Sequence, residues 1–170
     1  MSSGVVVAVP EVEVVAEAHV RYARVVLFEE LQDGLDEILV VDDNADAADT
    51  LAGLLLLCGA DVRVAYDGLA ALAVADGFQP DVGLFDVDMP RMGGCELARR
   101  VRAAAGRRPM LLAAITGVSD DNAVSRTTTA GFDLHLTKPA DPAALLHTLS
   151  DFGWWLQAHS SARDSDTDVD

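Results

Sequence analysis

Asp42 and Asp43 follow one short apolar run, Asp86 and Thr116 follow two others, and Lys138 lies just beyond another. Carboxylates brought within a few ångströms of one another raise each other's pKa values and favour keeping a proton unless a cation neutralises them. Mg²⁺ suits such a set, because it takes oxygen ligands in octahedral geometry, retains water and commonly bridges carboxylates to a phosphate. With a metal present, Asp86 can stay ionised, attack a phosphoryl group and become an acyl phosphate, a known role for a carboxylate nucleophile. The phosphoryl group in transfer carries charge on three oxygens. Mg²⁺ would take one, the Lys138 ammonium a second, and the Thr116 hydroxyl with a nearby backbone N–H the third. Singly, each residue has a plainer reading, with Asp42 and Asp43 as helix caps, Thr116 as a strand end and Lys138 as a surface charge. Together, those readings would put the only lysine among twelve basic residues opposite three carboxylates by accident.

The elements that must bring these groups together are legible as alternating patterns. Glu37 to Val41, Asp61 to Tyr66, Asp81 to Phe85, Met110 to Ile115 and Phe132 to Leu136 read as strands. Segments 45–58, 68–77, 94–105, 120–130 and 141–157 read as helices, separated by turn signals such as Cys58-Gly59 and Ala130-Gly131. Ile38-Leu-Val-Val41 and Met110-Leu-Leu-Ala-Ala-Ile115 are apolar without alternation, as in strands covered on both faces. An α/β fold follows, a doubly wound five-stranded parallel sheet with helices on both faces. In the order 2-1-3-4-5 the first and third strands meet at the topological switch point, and ligands bind beyond the carboxyl ends there. The candidate residues fall on that edge.

With those placements made, the chain resembles the receiver domain of bacterial two-component response regulators, whose fold is flavodoxin-like. The resemblance rests on Ile38-Leu-Val-Val-Asp-Asp-Asn44, Pro80-Asp-Val-Gly-Leu-Phe-Asp-Val-Asp-Met-Pro90, Ile115-Thr-Gly117 and Leu136-Thr-Lys-Pro139, in the family's order and spacing. It implies that Asp86 is the phosphoacceptor, that Asp42 and Asp43 hold Mg²⁺ together with Asp86 and the backbone carbonyl of Asp88, and that Lys138 and Thr116 contact the phosphoryl group. It also implies a cis peptide bond before Pro139, a phosphohistidine donor on a sensor histidine kinase or phosphotransfer protein, and a downstream target protein bound at the face around the fourth strand, fourth helix and fifth strand.

Some positions depart from that pattern or tune it. His135 stands where the family carries an aromatic switch residue, usually Tyr or Phe, that moves when phosphorylation draws the Thr hydroxyl inward. Imidazole titrates near neutral pH, so a pH-dependent output is expected. Met92-Gly-Gly94 lacks the usual acidic residue or Asn and is expected to form a looser loop. The side chain of Asp88 lies where family members tune hydrolysis of the acyl phosphate.

A rival resemblance is Asp86-Val87-Asp88 to the Asp-x-Asp nucleophile motif of haloacid-dehalogenase-type phosphatases. That family expects an acidic pair downstream of its lysine and Thr or Val after the motif. Here the pair precedes the motif and Met89-Pro90 follows it. The expectation is therefore a protein that catalyses only its own phosphorylation and dephosphorylation.

Composition supplies the exclusions. The 170 residues carry a formal charge of -16, are 51% hydrophobic and only 5% aromatic, enough for a core of Val, Leu and Ala and too apolar for wholesale disorder. Such negative charge disfavours nucleic acid and anionic lipid as partners. No apolar run reaches the ~18 residues of a membrane span, and no signal-peptide pattern opens the chain, so a cytoplasmic location is expected. Cys58 and Cys95 are too few for a disulfide framework and are expected as reduced thiols. His19, His147 and His159 are scattered and read as ordinary residues. Residues 1–36 form an N-terminal extension of uncertain structure, with homodimerisation left open. Residues 37–158 form the domain, and 159–170 an acidic, disordered tail. With only about 30 residues after Lys138, no effector domain is expected, as in a single-domain receiver or one cut from a hybrid histidine kinase.

Overall fold

The unbroken apolar run at 38–41 becomes the inner strand β1 (Glu37–Val41), flanked by β2 (Asp61–Ala65) and β3 (Val82–Asp86), with β4 (Leu111–Thr116) and β5 (Leu134–Thr137) beyond. All pairings are parallel and the order is β2-β1-β3-β4-β5, the flavodoxin-like arrangement expected. The connecting helices are α1 (Ala45–Leu57), α2 (Gly68–Phe78), α3 (Gly94–Ala105) and α4 (Asp121–Ala130), and α5 (Pro142–Asp164) closes the fold. This computed structural model describes residues 37–118 and 120–164, the last of them, 154–164, by backbone alone. The expected extension 1–36 with His19, Ser119, the side chain of His159 and residues 165–170 lie outside the described residues. Helix α5 runs to Asp164, past its expected end at 157, so the tail expected to begin at 159 starts as helix.

Strand alternation sorts the core into two layers. Ile38, Val40, Leu84 and Ile115 pack with Leu55 of α1 and Leu145, Leu146 and Leu149 of α5. Leu39, Val41, Phe85 and Leu112 face Ala71 of α2 and Leu97, Ala98 and Val101 of α3. Cys58 and Cys95 are free thiols on opposite layers, and burial pushes the Cys58 thiol up. Asn44, Asp67 and Asp120 accept backbone N–H bonds at the starts of α1, α2 and α4, so Asn44, not Asp42 or Asp43, caps the first helix. Among the described residues, no helix is long and apolar enough to cross a membrane.

Two ties fix the frame around this edge. Arg102 of α3 donates to Gly131 O (2.9 Å) and Met110 O (2.6 Å) and pairs with Asp133, which also accepts from Leu112 N–H at 2.8 Å. One guanidinium thus aligns the starts of β4 and β5. On the other side, the Tyr66 hydroxyl donates to Asp49 Oδ1 at 2.7 Å, joining the end of β2 to α1. That bond is the first cause that pushes the Tyr66 pKa up to about 12, with burial and the Asp49 charge adding to it. A raised folded pKa means that the bond's contribution is fully present below the ordinary tyrosine range near 10 and is lost as pH rises through about 12. Urea unfolding should therefore show a fall in stability between pH 10 and 12 that Tyr66→Phe reduces; an identical fall in the variant would refute the assignment.

Candidate functional site

Ladder pairing extends β3 and β4 one residue past their apolar runs, making Asp86 and Thr116 the last residues of their strands, paired with Ile115 and Thr137. The sequence pattern places them just after the strands. The difference matters because a terminal strand residue keeps its backbone in the sheet while its side chain reaches the edge. β5 begins at Leu134, later than expected, because Phe132 joins the core below it, edge-on to Phe85.

On this edge, one carboxylate oxygen from each of Asp42, Asp43 and Asp86 lies within 4.8 Å of the others. Asp42 and Asp86 are 6% and 5% exposed, whereas Asp43 is exposed. Lys138 Nζ lies 2.9 Å from Asp42 Oδ2 and 3.4 Å from Asp86 Oδ2. The other Asp42 oxygen accepts Asn44 N–H at 2.9 Å, and Asp86 Oδ1 accepts Asp88 N–H at 3.1 Å. Burial foremost pushes the Asp86 carboxyl above its ordinary range. The Asp88 N–H opposes that shift, the Asp42 charge adds to it, and Lys138 opposes it. Burial pulls Lys138 down, but its bond to Asp42 and the charges of Asp86 and Asp42 outweigh that and hold the ammonium above its usual value. Three clustered carboxylates against one lysine form a hard, oxygen-only donor set, which fits Mg²⁺ and would not suit a softer metal.

Thr116 is 2% exposed; its hydroxyl donates to Asp88 Oδ2 at 3.2 Å and accepts Val118 N–H at 3.2 Å. Lys138 N–H bonds Thr116 O at 2.7 Å, and the Lys138–Pro139 peptide is cis. His135 is half-buried, with Nε2 3.2 Å from Val118 O and Nδ1 3.1 Å from Thr127 Oγ1 of α4. Val118 O can only accept, so the ring donates to it through Nε2. His147 lies away from this edge, beside Asp151 on α5.

The Met92-Gly-Gly94 segment is not loose. Helix α3 starts at Gly94 with no side-chain cap, and a Cβ on Gly94 would lie 2.3 Å from Asp86 O and 2.9 Å from Val87 Cα. Gly94 N–H also bonds Val87 O at 3.0 Å. The glycine permits the helix to abut the backbone of Asp86 itself. The Gly-Gly pair is visible in the sequence, but nothing there indicates which residue it touches.

The geometry coincides with a family match, as residues 38–150 fit the response regulator receiver domain. The chain belongs to that family. A protein of Leptolyngbya boryana described as an uncharacterized 14.6 kDa protein in the sodA1 3' region is 34% identical over 116 residues, 68% of this chain and 88% of that protein. The DNA-binding response regulator MtrA of Mycobacterium tuberculosis is 36% identical over 109 residues, 64% of this chain but 46% of its own length, so the receiver spans about half of that relative. Among solved structures, a CheY-like receiver domain protein of Methanospirillum hungatei superposes with TM-score 0.67 at 26% identity, covering 74% of this chain and 98% of that one. Vibrio cholerae CheY4 gives 0.65 at 30% identity, covering 69% and 98%. This is a response regulator receiver domain of two-component signalling, a family of phosphoacceptors that generally bind Mg²⁺ at an acidic pocket and are served by histidine kinases. The haloacid-dehalogenase reading gains no support from the family match, the relatives or the fold.

Proposed function

We propose that this receiver takes a phosphoryl group from a phosphohistidine of a sensor kinase or phosphotransfer protein onto Asp86. An Asp86 carboxylate oxygen attacks phosphorus, the N–P bond to the donor histidine breaks, and imidazole leaves. The observation that carries the reading is the buried Asp86 carboxylate at the sheet edge, within 4.8 Å of Asp42 and Asp43 oxygens and 3.4 Å from the only lysine. Asp42, Asp43, Asp86 and the Asp88 backbone carbonyl are the residues that would hold Mg²⁺, which when bound neutralises charge on the transferring group. Lys138 and Thr116 then complete the contacts to the phosphoryl oxygens. The output is a protein contact at the face of β4, α4 and β5, where Val118 and Val124 are exposed and where His135 joins the loop after β4 to α4.

The test is incubation with acetyl phosphate and Mg²⁺, followed by borohydride reduction of the acyl phosphate and peptide mapping by mass spectrometry. One phosphoryl group on the Asp86 peptide is expected, and none after chelation with EDTA. Label on another residue, or undiminished in EDTA, would overturn the reading. Steady turnover of p-nitrophenyl phosphate would favour a phosphatase instead.

A further inference from the structure

The Thr116 hydroxyl has one proton, and Asp88 holds it. A hydroxyl donates to one acceptor at a time, and here the acceptor is Asp88 Oδ2 at 3.2 Å. A phosphoryl group on Asp86 would need the same proton from the same hydroxyl. We propose that the Asp88 carboxylate is a positioning tether that competes with the phosphoryl group for Thr116, so that the receiver must give up this bond before it can engage its ligand. The inference rests on Asp86 being the phosphoacceptor and concerns engagement of Thr116, not hydrolysis of the acyl phosphate.

The competition is built into one residue. The Asp88 backbone N–H donates to Asp86 Oδ1, anchoring it beside the acceptor, while its exposed side chain reaches Thr116. Its carboxylate is therefore held at the mouth of the pocket by the group whose modification it opposes. The release also has a route outward. Val118 N–H bonds the Thr116 hydroxyl, Val118 O lies 3.2 Å from His135 Nε2, and His135 Nδ1 meets Thr127 in α4. A Thr116 hydroxyl leaving Asp88 must also rearrange its bond to Val118, the residue on which the imidazole rests.

A plain charge effect would look similar, since Asp88 repels an incoming anion whether or not it touches Thr116. A double-mutant cycle separates the two. The probe is beryllofluoride with Mg²⁺, a stand-in for the phosphoryl group, with affinity measured by calorimetry on the full chain carrying Asp88→Ala, Thr116→Ala, both or neither. With a tether, Asp88→Ala tightens beryllofluoride binding by roughly fivefold to tenfold when Thr116 is present, as expected for loss of one competing hydrogen bond of ordinary strength, and by less than about twofold when it is absent. Equal gains in both backgrounds would show repulsion alone and overturn the tether; so would a weaker affinity in Asp88→Ala. The His135 ring nitrogen resonances of the unloaded Asp88→Ala protein should also move towards those of the loaded wild type, and resonances that stay put would count against the tether. If the wild type itself fails to bind beryllofluoride with Mg²⁺, the phosphoacceptor reading fails and the tether with it. A wild type that binds with no coupling refutes the tether alone.

Discussion

Asp86→Asn is expected to lower phosphate uptake from acetyl phosphate by roughly a thousandfold or more, because an amide oxygen is not a competent nucleophile, and to raise the urea midpoint of the metal-free protein. The second effect follows from burial. Asp86 is 5% exposed, and its carboxyl is pushed above its ordinary range first by burial and further by Asp42, against the Asp88 N–H and Lys138. A carboxyl whose folded pKa is raised favours the folded state while protonated and loses that advantage as pH rises through the folded pKa. The ionised group is therefore a burden on the native state, and a neutral amide removes it. An Asn oxygen can still accept the Asp88 N–H, and Lys138 keeps Asp42 at 2.9 Å. Wild-type labelling in the variant would end the assignment of Asp86, whereas a lowered midpoint would end the electrostatic account of the pocket.

Gly94→Ala should produce the largest structural effect of any single methyl group at the site. The new Cβ would sit 2.3 Å from Asp86 O and 2.9 Å from Val87 Cα, and both are backbone atoms that cannot swing aside. Either α3 backs away from the sheet or the end of β3 moves. Overpacking of this sort costs about 1–3 kcal/mol, and if Asp86 is the phosphoacceptor, displacing it by about 1 Å reduces phosphate uptake on the order of a hundredfold. Gly77→Ala is the contrast. Gly77 lies within α2 with nothing inside 4 Å of its Cβ position, so alanine there should stabilise by about 0.5–1 kcal/mol. Urea denaturation and labelling rates of the two variants check the pair; a Gly94→Ala protein as stable and as reactive as wild type would remove the packing argument.

The strand assignments show what hydropathy reads and where it stops. β1 begins and ends where the apolar pattern places it, but β3 and β4 run one residue further than expected, to Asp86 and Thr116. The backbone ladder does not require apolar side chains, so the residue at the end of a strand can be the one that does chemistry. The same limit hides Arg102, whose bonds reach Met110, Gly131 and Asp133 across turns that carry no mark of a partner. Met92-Gly-Gly94 misleads for the opposite reason, since two glycines signal conformational freedom in a sequence, whereas here the second is needed for close approach.

The sequence alone indicated a doubly wound parallel sheet, the edge on which the candidate groups fall and the types of group gathered there, because each follows from local periodicity, right-handed crossovers and the position of a polar residue after an apolar run, while the order 2-1-3-4-5 accords with the family resemblance. Asp42, Asp43, Asp86 and Lys138 meet as that reasoning requires. Only the tertiary structure decided how the remaining groups are wired. Thr116 donates to Asp88, His135 rests between Val118 and Thr127, and α3 abuts the backbone of Asp86. These depend on separations of a few tenths of an ångström between residues far apart along the chain, and such distances are set by how helices seat against the sheet, which residue type and spacing do not encode locally.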